Sequence, residues 1–183
     1  LNFETAVKVL GEDVHKLSKT AAQFVEACRF SPLILATTRS VCKSDTVAKE
    51  AFYQEALDKP ELLADQDGAP IMRELLKRLD KSALEALIKI ANSGSGRYDS
   101  RFLGTFIGQN ASINLQRLSI LQSATAPGLL KVHDLICDAV SNARDAGSVS
   151  EALGKFVGDR SGGRLPSAIR QIRLSEEQLL ETH

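Results

Sequence analysis

The stretch FETAVKVLGEDVHKLSKTAAQFVEAC (Phe3–Cys28) decides how the chain is read. Phe3, Val7, Leu10, Val14, Leu17, Ala21, Phe24 and Cys28 recur at alternating steps of four and three, which aligns them on one stripe of an α-helix. The stripe predicts a single long N-terminal helix of about seven turns, packed at a shallow angle on the neighbours of a bundle. Gly11 within it would let another backbone approach closely. A two-stranded coiled coil is the competing arrangement and would make this helix the contact of a homo-oligomer. The pattern stops after about four heptads, however, and the remaining chain has ample apolar residues of its own.

The same period continues downstream between helix start and stop signals. Ser31-Pro32 reads as a cap followed by proline at the first helical position. Asp45 is the candidate cap of the next helix, with Val47, Ala51, Phe52, Ala56 and Leu57 turned inward. Pro60 opens another turn, and ADQDGAP (Ala64–Pro70) is a polar loop. From Pro70, helical spacing links Ile71, Leu75, Leu76 and Leu79, then Leu84, Leu87, Ile88 and Ala91, with Ser82 as a cap between two helices. Asp99 or Ser100 caps a segment bearing Phe102, Leu103 and Phe106; Gly108 interrupts it, and Ile113, Leu115 and Leu118 resume. Pro127 begins a further helix, Ser148 or Ser150 a short one, and the last starts near Pro166. No alternating run bounded by hairpin turns is evident, and aromatics make up only 5%. The expected fold is all-α, a multi-helix bundle of about seven to nine helices with a long N-terminal helix. Residues 1–183 read as one helical domain, with a subdomain seam near 92–99.

Composition narrows the function classes. Hydrophobic residues are 43% and charged residues 25%, which suits a soluble globular domain with a sizeable core. The longest dense apolar run, SPLILATT from Ser31, is far shorter than a membrane span, so none is expected. Lys and Arg balance Asp and Glu at 23 each, leaving no overall field to attract a polyanion. The cysteines, Cys28, Cys42 and Cys137, are odd in number and sit among apolar neighbours, as buried thiols in a reducing, cytoplasmic compartment do. The chain opens on Leu1 with no signal-type segment, and is read as an excised domain or a processed product.

The search for chemistry yields no catalytic constellation and no cofactor motif. Of the histidines, only His133 has a second ligand type at helical spacing, Cys137, and two ligands do not make a metal site. The carboxylate pairs Glu12/Asp13, Asp65/Asp67 and Glu176/Glu177 fall on solvated faces, loops or caps. Neither the Walker nor the dinucleotide glycine spacing occurs.

One segment stands out by charge. GDRSGGRLPSAIRQIRLSEEQ (Gly158–Gln178) sets Arg160 and Arg164 beside a helix N-terminus and Arg170 and Arg173 one turn apart on the helix that follows. These arginines are candidate binding residues for an anion or for a partner's carboxylates. The plainer explanation is that they lie over their own helix and pair with Glu176, Glu177 or Glu181. Around Arg164, SGGRLPSAI (Ser161–Ile169) is similar in outline to the arginine-finger loop of the GTPase-activating domains of some bacterial secreted toxins. The likeness is confined to those residues, with Gly163 where that family has Leu and no Thr following. It implies an arginine stabilising charge on a transferring γ-phosphoryl group of a GTPase supplied in trans. A nucleic-acid surface would draw on the same arginines with Arg97, Arg101 and Arg117, and on Tyr98 as a lone exposed stacking aromatic.

The expected function is therefore a protein–protein interaction module, an adaptor, effector or scaffold domain without catalysis of its own. A regulator of a nucleotide-dependent enzyme is the alternative, and a helical nucleic-acid-binding domain is a third, less favoured. No metal or cofactor is expected.

Overall fold

The computed structural model describes residues 1–42, 46–65, 67–93, 96–140, 147–158 and 167–174. Its contacts divide the chain into two units, Leu1–Leu79 and Asp80–His183, and residues 92–99 fall within the second. Both are mainly helical. Among the described residues no helix is long and apolar enough to cross a membrane.

The first unit comprises α1 (Phe3–Leu10), a 3-10 turn (Val14–Lys16), α2 (Lys19–Ala27), α3 (Pro32–Val41), α4 (Thr46–Asp58), α5 (Glu61–Ala64) and α6 (Ala69–Leu76). The single helix expected over Phe3–Cys28 is thus two helices and a turn. Three local features break it. Gly11 takes φ 84°, a left-handed value that favours glycine, and its N–H bonds back to the Val7 and Lys8 carbonyls. Asp13 then accepts from the His15 N–H, and Ser18 caps α2 by accepting from Ala21 N–H at 3.0 Å. A side chain at position 11 would meet Arg39 Nε at 2.8 Å, so Gly11 faces a side chain and not the neighbouring backbone anticipated.

The stripe survives the break because each half is buried separately. α1 packs on α3 with Val7 and Leu10 buried, and α2 packs on α4 with Ala21 buried and Phe24 against Phe52 and Tyr53. Val14 and Leu17, between them, are only half-buried. The turn also gains a polar tie to α4, where Glu12 accepts from Lys49 Nζ at 3.0 Å and from Tyr53 Oη at 3.3 Å. Ser18 Oγ donates to Glu50 Oε1 at 2.6 Å. The expected cap Asp45 lies outside the described residues.

The second unit comprises α7 (Lys81–Asn92), β1 (Arg97–Asp99), α8 (Ser100–Phe106), α9 (Gln109–Arg117), β2 (Leu121–Ser123), β3 (Leu129–Val132), α10 (Asp134–Val140), α11 (Gly147–Gly158) and a last helix, α12, at 167–174. Asp80, not Ser82, caps α7, accepting from Ala83 N–H at 2.8 Å. The core gathers Leu87 and Ile90 of α7, Phe102 and Phe106 of α8, Ile136 of α10 and Phe156 of α11. Phe102 stacks on Phe106 and meets Phe156 edge to face.

The unit also holds a small sheet that the helical reading did not contain. β1 and β2 flank β3, both antiparallel to it, with Arg97 opposite Lys131, Tyr98 opposite Leu130 and Gln122 opposite Lys131. Pro127 does not begin a helix. Pro127 and Gly128 occupy the centre of a β-turn closed by Leu129 N–H on the Ala126 carbonyl at 3.2 Å, with Gly128 at φ 75°. Proline then glycine with positive φ is the type II pattern.

Candidate functional site

Of the predicted site residues, Arg97 lies on β1, at the edge of the sheet, and Arg170 beside its Asp99. A strand at a sheet edge exposes alternate N–H and C=O groups that another chain can pair with. Here the edge is closed by a side chain. Gln171 of α12, fully buried, accepts from the Asp99 N–H at 2.7 Å and donates to the Arg97 carbonyl at 3.3 Å. Its amide stands where a neighbouring strand's peptide would stand. Asp99, 4% exposed, caps α8 by accepting from the Arg101 and Phe102 N–H groups. Arg170 adds a second anchor: its guanidinium donates to the Pro127 carbonyl at 3.1 Å and lies 3.7 Å from the Asp99 carboxylate.

These contacts fix which side of α12 faces outward. Ser167, Ala168 and Gln171 are buried, while Ile169, Arg170, Ile172 and Arg173 are exposed, Ile169 by 45% and Ile172 by 42%. At 3.6 residues per turn those four share one face. The helix therefore presents two isoleucines interleaved with two arginines. Arg97 and Arg101 are exposed nearby in sequence on β1 and α8.

Tyr98 is a correction. It is not an exposed platform for a base but part of the core, with no accessible surface. Its hydroxyl donates to the Ile90 carbonyl at 3.0 Å and bonds the Ser93 hydroxyl. Arg160 and Arg164, including the finger position suggested by the loop likeness, lie outside the described residues. Sequence reasoning singled out the arginines and missed Gln171 and the two isoleucines. Helical phasing of SAIRQIRL puts Ile172 one turn after Ala168, so spacing alone does not mark the isoleucines as outward, and only the partner strand shows which side is inward.

The thiols show no sign of activation. Burial pushes Cys28 up to about 12; it does the same to Cys137, with Asp134 and Asp138 adding to it, and Cys42 is also raised, mainly by burial. His133 Nδ1 accepts from the Leu135 N–H, so that side chain serves the start of α10. Among the described residues no group of three or more His, Cys, Asp or Glu side chains is placed to hold a metal. Because the thiolate is the reactive form, a disulfide-exchange reagent at pH 8 is expected to leave the folded thiols unmodified and to titrate them after denaturation. Rapid labelling of folded Cys28 or Cys137 would contradict this.

The first unit has a concavity of about 150 Å³ between the α2–α3 connection and the α5–α6 loop. Cys28, Ile34, Leu63 and Ile71 form its apolar lining, and Arg29 stands at it with Asp65 and Asp67. The opposed charges select no sign of ligand.

Comparison with protein-family models, with curated proteins and with solved structures finds no match to this chain. Function is therefore read from the surface itself.

Proposed function

We propose that the chain is a protein-interaction module whose contact surface is the outer face of α12. The supporting observation is the pair Ile169 and Ile172, left 45% and 42% exposed on a helix whose other side is held by buried polar contacts. Large apolar side chains presented side by side on a fixed element are what a partner buries, and flanking arginines set its orientation. The module acts as an adaptor, effector or scaffold, by holding a partner.

The test is affinity capture from the source extract with the parent protein and with an Ile169→Asp/Ile172→Asp double variant. Removing two part-buried isoleucines from a contact weakens it at least about tenfold, so proteins held by the parent are expected to be lost by the variant, with far-UV circular dichroism unchanged. A variant that retains the same proteins, or a parent that holds none specifically, overturns the reading.

A further inference from the structure

The Phe3–Cys28 stripe keeps its phase through a turn that makes little use of it. α1 packs on α3 with Val7 and Leu10 buried, and α2 packs on α4 with Ala21 and Phe24 buried, so no single partner requires the two halves to stay in register. Val14 and Leu17 nevertheless hold the spacing while only half-buried. The turn is also close to helical. Val14–Lys16 already form a 3-10 turn, and no proline lies between Phe3 and Ser31. Gly11 departs from the helix with φ 84°, and Asp13, Leu17 and Ser18 depart with ψ 122°, 129° and 156°. None of these side chains forbids helical values, and glycine adopts either sign of φ. What holds the turn bent is a small polar set: Asp13 accepts from the His15 N–H, Ser18 accepts from the Ala21 N–H, and Glu12 accepts from Lys49 and Tyr53.

We propose that Gly11–Ser18 is a hinge through which two copies of this chain exchange α1. Straightening the hinge joins α1 and α2 into one helix, and α1 then packs on α3 of the second copy, burying Val7 and Leu10 there. The closed and exchanged forms share the α1–α3 contact and differ at the hinge. Exchange gives up the two caps and the Glu12 contacts. It gains the intrahelical bonds of the turn and, where the two antiparallel hinges meet at the two-fold axis, burial of Val14 and Leu17 against their counterparts. Because the exchanged contacts are between copies, the balance moves with protein concentration. The hinge draws on nothing in α12 and stands apart from the interaction reading above.

The test is size-exclusion chromatography with light scattering on the full chain over a concentration series. Asp13→Ala/Ser18→Ala removes caps that only the bent turn uses. It is expected to dimerise at a concentration at least about a hundredfold below the parent's, since each lost cap counts in both chains of the dimer. Gly11→Ala reaches the same state by another route: its Cβ is strained at φ 84° and meets Arg39 Nε at 2.8 Å in the bent turn, whereas a straight helix accepts it. Lys19→Pro acts in reverse. Lys19 is exposed and is the first residue of α2, where proline is well placed, and Ser18 before it is already extended. Inside a continuous helix the same proline removes the bond to the His15 carbonyl and its ring collides there. Added to either capping or glycine variant, Lys19→Pro is expected to restore the monomer. In a mixture of methyl-labelled and unlabelled Asp13→Ala/Ser18→Ala copies, cross-copy NOEs are expected between α1 of one and α3 of the other. Capping and glycine variants that both stay monomeric overturn the proposal. So does a dimer that Lys19→Pro leaves intact, or one whose cross-copy NOEs join α1 to α1, as a coiled coil would.

Discussion

Phe24→Ala is expected to lower stability by about 3–5 kcal/mol, the range for removing a fully buried aromatic ring from a core that closes only partly over the space. Phe24 has no accessible surface. Its ring lies 4.7 Å from that of Tyr53 in a stacked arrangement and 5.8 Å from that of Phe52, edge to face. These contacts join α2 to α4, so the substitution removes the centre of the first unit. The chain has two tyrosines and no tryptophan, and Tyr53 lies in the first unit while Tyr98 lies in the second. Tyrosine emission during urea denaturation, in a Tyr98→Phe background, therefore reads the first unit alone. Phe24→Leu keeps most of the volume and is expected to cost clearly less. A loss below about 1 kcal/mol for Phe24→Ala would mean that the ring is not packed as described.

Gln171→Leu is expected to cost about 2–4 kcal/mol, although leucine matches glutamine closely in size. The loss is polar. The amide meets one donor and one acceptor of β1, and an apolar replacement leaves the buried Asp99 N–H and the part-buried Arg97 carbonyl without this partner, at about 1–3 kcal/mol each. Gln171→Glu separates charge from shape: a carboxylate still accepts from the Asp99 N–H but has no donor for the Arg97 carbonyl, and it lies close to the buried Asp99 carboxylate. It is expected to be no better tolerated than leucine. Denaturation followed by tyrosine emission, in a Tyr53→Phe background so that the signal reports Tyr98, measures both. A cost under about 0.5 kcal/mol for Gln171→Leu would show that α12 does not depend on this contact.

The parts of the fold that the sequence disclosed are those where one residue type has one physical use. Asp99 was among the expected caps of α8 and accepts two backbone N–H groups there. Helix α3 starts at Pro32, and Gly108 stands at the start of α9 with φ 90°. The Phe3–Cys28 stripe misled because period alone does not register continuity. Two helices of the same phase joined by a short turn give the same spacing as one, and the break was announced only by Gly11 and by the caps Asp13 and Ser18. The sheet escaped for a different reason. Strands of three or four residues are too short to display alternation, and Arg97-Tyr98-Asp99 contains a single apolar side chain. Pro127-Gly128 was the available signal, equally suited to a helix start when read from the proline alone. Tyr98 was misplaced because its inward direction is set by pairing with β3. The basic residues of the candidate site were visible as charge, whereas Gln171 and the outward isoleucines acquire meaning only once α12 lies beside β1.

The interaction face depends on that placement. Amide hydrogen exchange at Asp99 tests it most directly. This N–H lies on the edge of the sheet, and its acceptor is the Gln171 side chain, so it stays protected only while α12 is docked. The Asp99 amide is expected to exchange about a hundredfold or more slowly than exposed loop amides, and to lose most of that protection in Gln171→Leu while core amides of α7 keep theirs. An Asp99 amide that exchanges as fast as an exposed one in the parent protein would contradict the docking of α12, and with it the surface on which the function is proposed.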